Sequence, residues 1–260
     1  MSNLSLLILV LVFFVTSLLG VVTGSNSLIT VPAMFQLGVD EKVAIATNMF
    51  GLVFMAIGGA IPFLRQGTIN VRRLSPLIIL TIIGSAIGAA IVGLITNRSI
   101  KVIVTVAMIV IVLFTLLKNV QRPGSVEDEI EKGDKAAPVG THMIFGFIAT
   151  FLLAIYGGLY SGGYVTVLTA TFVAFFGMSF TESIAATKVI NIFSSSIATA
   201  VFIYQGLVDL RLGVILGVTM FAAAYVGAQF ATKLNEVWLR RIFLSAVLLL
   251  AIKTALDLVI

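Results

Sequence analysis

The chain has 260 residues, of which 60% are apolar and 10% charged, with a formal net charge of +5, no cysteine and one histidine. This composition lies far outside the soluble range and marks an integral membrane protein, with no room for an extramembrane catalytic domain and no basis for a disulfide framework, a thiolate or histidine-cluster metal site, or metalloenzyme chemistry. The cations are spread over short loops instead of gathered in one patch, which argues against nucleic-acid binding and makes them reporters of topology.

Apolar segments fall at 4–22, 27–38, 43–64, 74–96, 99–118, 141–157, 164–176, 183–205, 211–234 and 238–258. The first has no Lys or Arg before it and no small-residue cleavage pattern after it, so a retained span is expected in place of a removed signal. At about 1.5 Å per residue, a hydrocarbon core of about 30 Å takes about 20 residues. Segments 27–38 and 164–176 are therefore too short to cross and are half-helix candidates. Each follows a Gly/Ser-rich break, GVVTGSNSLITVP at 20–32 and YGGLYSGGYVTV at 156–167. Backbone that leaves a helix at membrane depth survives only when buried in protein or lining a wet cavity.

The longest polar stretch, KNVQRPGSVEDEIEKGDKAAPVG at 118–140, mixes both charge signs with Pro and Gly and has no apolar periodicity. It reads as a solvated cytoplasmic linker, 119–140, between a first membrane repeat, 1–118, and a second, 141–260. The halves resemble each other: RQGTINVRR at 65–73 matches YQGLVDLRL at 204–212, Gly88 falls on Gly227 and Ile103 on Ile242, and with one residue of slippage Ala46-Thr47 falls on Ala186-Thr187. Such a duplication is the internal repeat on which many secondary transporters are built.

Loop cations test the orientation. If each break enters and returns, Arg65, Arg72, Arg73, Lys118, Arg122, Lys132, Lys135, Lys233, Arg240 and Arg241 share one side, against Lys42, Arg98, Lys101, Arg211 and Lys253 on the other. If each break crosses only once, the repeats are parallel and the bias is weaker. Inversion is favoured, and the expected fold is an all-α polytopic membrane bundle of two repeats, each opening with a broken or re-entrant helix pair, with about 8 to 10 membrane segments.

The breaks carry the first chemical signal. Gly24 and the pair Gly162-Gly163 permit backbone angles other residues resist, and Ser25, Asn26, Ser27 and Ser161 can cap the half-helices that follow. Two helix N-termini are thereby aimed into the membrane interior, where unpaired N–H groups and partial positive charge favour an anion. For either break alone, a kink lined with small residues for helix packing is the competing explanation.

The second signal is TESIAATKVINIFSSS at 181–196, where Thr187, Lys188, Asn191, Ser194 and Ser195 recur at spacings of three and four and form one polar stripe. An intramembrane Lys is costly and faces a cavity or a partner. No intramembrane carboxylate offers itself, apart from Glu182 at the helix start, and a cation in the first turns opposes the helix dipole. An anionic ligand is its complement; snorkelling of Lys188 to the interface is the alternative. The matching place in the first repeat, VAIATNMFG at 43–51, holds uncharged Thr47 and Asn48. Gly84/Gly88 and Gly213/Gly217 are GxxxG pairs for close helix packing, within a subunit or across a homodimer. His142 is expected at the interface, and Trp238 and Tyr204 at span ends.

A Gly/Ser-rich break running into LITVP, then GVDEKVAIATN and RQGTINVRRL, with SGGYVTVLTATFVAFFGMSFTESIAATKVINI and YQGLVDLRLG in the second half, resembles the TauE/SafE or sulfite exporter family over nearly the whole chain apart from the linker. The resemblance implies a bacterial-type inner-membrane, multi-pass permease for sulfite, sulfoacetate or other organosulfonates. The first-repeat glycine cluster usual in the family is replaced here by GSNS, which puts side-chain hydrogen bonding by Ser25 and Asn26 in place of bare backbone amides.

The combined expectation is a non-enzymatic secondary transporter for a small anion, working by alternating access without cofactor or metal, in contact with membrane lipid. Thr23, Gly24, Ser25, Asn26, Thr47 and Asn48 would contact the anion from one half, and Ser161, Gly162, Gly163, Thr187, Lys188 and Asn191 from the other. A passive anion channel is the alternative, and a carrier of a different small anion a second; a membrane enzyme would need a nucleophile or metal cluster that the sequence lacks.

Overall fold

The computed structural model describes residues 2–24, 26–65, 74–118 and 140–230. These residues form α-helices: α1 (Asn3–Thr23), α2 (Ser27–Gln36), α3 (Glu41–Arg65), α4 (Ser75–Leu94), α5 (Asn97–Lys118), α6 (Gly140–Leu159), α7 (Tyr164–Phe176), α8 (Phe180–Tyr204) and α9 (Leu210–Phe230). There is no strand among the described residues. The linker 119–139, most of the 65–73 loop and the last expected span, with Trp238 and Ile242, lie outside them.

Among the described residues five helices are long and apolar enough to cross a membrane, while Ser27–Gln36 and Tyr164–Phe176 have 10 and 13 residues. At about 1.5 Å per residue, those two are about 15 and 20 Å long, well short of a hydrocarbon core. The half-helix expectation holds for both. Local chemistry sets the ends. Ser2 caps α1 by accepting from the Ser5 N–H at 3.1 Å, and Ser179 and Glu182 close a reciprocal capping box on α8 at 3.2 and 2.9 Å. Gly24 ends α1 in the left-handed region at φ 73°, which any residue with a Cβ would resist.

The bundle is solvated as a membrane protein requires. Ile79, Ile83 and Ile87 on α4, Phe145, Ile148 and Leu152 on α6, and Val214 and Val218 on α9 form outward apolar stripes at helical spacing. Thr30, Thr47, Asn48, Ser85, Thr187, Ser194 and Ser195 are buried. Polar groups turn inward because a hydrocarbon surround offers them no hydrogen bonds.

The second half repeats the order of the first. α3 and α8 begin 139 positions apart and end 139 apart, as do the positive-φ glycines Gly24 and Gly163, and Gly38 and Gly177. Directions follow from contacts. From Thr47 to Gly59 along α3, the neighbours on α8 and its following turn run backwards, from Asp209 to Lys188. α3 is therefore antiparallel to α8, its counterpart. α3 runs parallel to α9, with Gly213 against Phe50, Gly217 against Phe54 and Phe221 at Gly58; α4 runs parallel to α8, with Ser85 opposite Ser194 and Gln205 reaching Ala89 and Ala90.

Both glycine pairs are used inside the chain. A Cβ on Gly84 or Gly88 would strike the Ala154 side chain or the Ile155 backbone of α6, and one on Gly213 or Gly217 would meet Phe50 or Phe54. Their absent side chains let helices approach closely. Neither pair is left over as a surface for a second copy, so the sequence argument for a homodimer loses its support.

Candidate functional site

The break after α1 and the break before α7 meet in the middle of the bundle. The Ser27 and Ser161 hydroxyls, one at the start of α2 and the other three residues ahead of α7, lie 2.7 Å apart and are buried. Ser27 is a hub: its Oγ also accepts from Asn48 Nδ2 at 2.9 Å, and Thr30 Oγ1 donates to Asn48 Oδ1 at 2.7 Å. The Tyr160 phenol donates to the Ser27 carbonyl at 3.0 Å, and the Tyr156 phenol to the Gly162 carbonyl at 2.5 Å. The Gly162 carbonyl in the second break is thus taken up by an aromatic hydroxyl, which helps make irregular backbone tolerable at this depth.

Among the described residues, the N-caps of the two half-helices make no side-chain cap. Asn26 occupies the N-cap of α2 without a cap hydrogen bond, and α7 starts from Gly163 at φ 78°, likewise without one. Asn26 instead donates to Ser17 Oγ and Met55 Sδ, both at 3.2 Å, because its αR conformation turns the side chain back towards α1 and α3. Its amide oxygen is buried and has no hydrogen-bond partner among the described residues.

Between the two breaks lies a cavity of about 20 Å³ lined by Gly20, Val21, Gly24, Asn26, Ser27, Leu52, Met55, Ala56, Ser161, Val165, Lys188 and Asn191. Lys188 is 5% exposed, and its stem passes Gly59 of α3, where an added Cβ would sit 3.9 Å from the Lys Cδ. It does not snorkel. The ion pair among the described residues is Glu41 with Lys101, at 2.8 Å and far from this level, so no described carboxylate neutralises Lys188. Asn191, one turn on, lines the same cavity, its Oδ1 accepting from Ser195 Oγ at 3.4 Å. The polar surface therefore consists of a buried lysine amino group, hydroxyls, amides and two half-helix starts, an array suited to an oxyanion. The space holds about one water-sized group, so an anion requires the walls to part.

Of the expected contacts, Gly24, Asn26, Ser161, Lys188 and Asn191 come together at the cavity. Asn48 stands one hydrogen bond behind it, through Ser27. Gly162 and Gly163 form the turn before α7. Thr187 faces elsewhere, donating to the Ile184 carbonyl at 2.8 Å with Thr169 at 3.5 Å. Thr47 is buried away from the cavity, and its Oγ1 accepts from the Asp209 N–H at 3.1 Å. The Thr23 side chain and Ser25 lie outside the described residues, as does the His142 side chain. Sequence reasoning passed over Ser27 as a site residue, and Gly20, Met55 and Tyr160 entirely. Ser27 was legible as the first polar residue of the half-helix; the other three have no signal in an apolar span. Among the described residues no cluster of His, Cys, Asp or Glu could hold a metal.

The sequence pattern of the family described as Sulfite exporter TauE/SafE matches residues 8–254. A probable membrane transporter protein, ORF9, of a Sinorhizobium species is 23% identical over 244 residues, covering 94% of this chain and 90% of the relative. A probable membrane transporter protein of Haemophilus influenzae is 25% identical over 229 residues, 88% of this chain and 84% of its own. The probable membrane transporter protein YfcA of Escherichia coli K12 is 25% identical over 237 residues, 90% and 84%. No solved structure matches the chain.

Proposed function

The chain belongs to the sulfite exporter TauE/SafE family of membrane transporters, and on that premise we propose that it carries sulfite or a short organosulfonate such as sulfoacetate across the inner membrane by alternating access. The observation that carries this reading is the convergence of Ser27, Ser161, Lys188 and Asn191 on one buried cavity at which two half-helices begin. Lys188 supplies the charge, the hydroxyls and the half-helix N–H groups supply oriented donors, and the opposed breaks supply a boundary between two moving halves.

The antiparallel course of α3 and α8 supports repeats of opposite topology. In such a design one repeat rocks against the other around a fixed site. The small cavity, with room for about one water-sized group, and the Ser27–Ser161 contact across the breaks favour this carrier over a continuous pore.

Uptake of labelled sulfite by proteoliposomes tests the reading. Saturable uptake above protein-free vesicles, competed by sulfoacetate, is expected; single-channel currents would mark a pore, and no flux of either anion would overturn the assignment. A thermal-shift screen of sulfite, sulfoacetate, taurine, sulfate and carboxylates would rank ligands, because a specific binder stabilises the folded state by mass action.

A further inference from the structure

We propose that Lys188 also carries the coupling ion: it takes up one proton with each singly charged anion and releases both on the far side, making the protein an electroneutral anion–proton symporter. This rests on the anion reading above and adds to it a second substrate, the proton.

The argument begins with what surrounds the lysine. α8 packs against α3, α4, α6 and α7. On α3 the charged residues are Glu41 and Lys42 at its start and Arg65 at its end; α4 has none, and α7 offers only the phenol of Tyr164. α6 offers Tyr156, besides His142 whose side chain is outside the described residues, and Tyr160 follows it. Tyr156 and Tyr160 already donate to backbone carbonyls. On α8 itself Glu182 is held in the surface capping box. Lys188 thus has no fixed counter-charge among the described residues, and the first repeat holds no charge at the matching place, with Met49 at an offset of 139 and Asn48 with one residue of slippage.

A carrier must return empty. Loaded, the ammonium is neutralised by its cargo; empty, it would cross as a bare cation at a position only 5% exposed and without a described carboxylate, where an unpaired charge is costly. Release of the proton along with the anion removes that cost. The step balances: a neutral amine, one proton and one monoanion give an ammonium–anion pair, and neither the empty nor the loaded site has net charge. The unpartnered Asn26 amide oxygen adds an independent demand on the same cavity, for one hydrogen-bond donor more than the described residues supply. An ammonium formed there, or a proton-bearing oxygen of the cargo, meets that demand.

The test uses the full protein in proteoliposomes with labelled sulfite and protein-free vesicles subtracted as leak. Exchange of labelled for unlabelled sulfite, which needs no net proton movement, is measured first. Net uptake is then measured under an imposed pH gradient with the potential clamped, and under an imposed potential with no pH gradient. The expected result is accumulation on the alkaline side, with the singly charged hydrogensulfite rising up to about tenfold per pH unit for one proton per anion, and net uptake indifferent to potential. In Lys188→Arg, whose guanidinium keeps its charge, the ratio of net uptake to exchange should fall at least about tenfold, the factor the wild-type gradient would lose. Exchange together with net uptake that follows the potential and ignores the pH gradient would overturn proton coupling while leaving the anion reading standing. Absence of both exchange and net uptake would overturn the anion reading, and this proposal with it.

Discussion

The meeting of the two breaks can be weighed by a double-mutant cycle on Ser27 and Ser161, whose hydroxyls lie 2.7 Å apart. Ser27→Ala removes that contact and the acceptor of the Asn48 amide at 2.9 Å. Hydrogen bonds between helices within a membrane average about 0.6 kcal/mol and reach about 1.7, while an orphaned buried polar group costs about 1–3 kcal/mol. Loss of two bonds therefore puts Ser27→Ala at about 1–3 kcal/mol, towards the lower end because a water entering the adjoining cavity could replace one partner. Ser161→Ala loses the one bond and should cost about 0.5–1.5 kcal/mol. The double variant should cost less than the two singles together, with a coupling of about 0.5–1.5 kcal/mol. Denaturant titration in mixed micelles measures all four corners. Additivity within about 0.3 kcal/mol would mean that the two breaks do not touch, and the shared site would fall with that contact.

Thr47→Val should lower stability by about 1 kcal/mol and leave sulfite affinity unchanged, because its hydroxyl holds the Asp209 N–H and not the cavity; calorimetric titration alongside melting separates the two effects. Gly88→Ala should reduce the yield of folded protein sharply, since its Cβ would strike the Ile155 carbonyl and the Leu159 amide. Gly38→Ala, with open space but φ 81°, should cost only the backbone strain of about 1 kcal/mol. Size-exclusion profiles and melting curves of the two glycine variants compare them directly. Lys101→Ala, which breaks the partly exposed pair with Glu41 at 2.8 Å, should cost at most about 1 kcal/mol, and the loss should shrink as salt is raised.

Much of the architecture was written in hydropathy and repetition. The short runs at 27–38 and 164–176 became the half-helices α2 and α7 because length against bilayer thickness leaves them no other role. The 139-residue offset reappears in the bounds of α3 and α8 and in paired left-handed glycines, since a turn that needs positive φ has few sequence solutions. Lys188 was legible because a cation in an apolar span has few tolerable destinations. Side-chain direction was not. Thr47 and Asn48 are neighbours, yet a helix turns about 100° per residue, so one reaches the turn before α9 and the other the hub at Ser27. Asn26 looked like a cap by residue type, but its αR backbone places it out of capping geometry. The glycine pairs were ambiguous between inner and outer surfaces because motif spacing records close approach without naming the partner.

The central claim is that the anion is held by Lys188 between the two half-helix starts. Calorimetric titration of sulfite into purified protein and into Lys188→Met, which keeps an unbranched apolar stem beside Gly59, tests it most directly. A hydrogen bond to a charged group contributes about 1.5–3 kcal/mol, so binding to the variant should be about tenfold to a hundredfold weaker. Equal affinity in the two proteins, or no sulfite binding by either, would contradict the account.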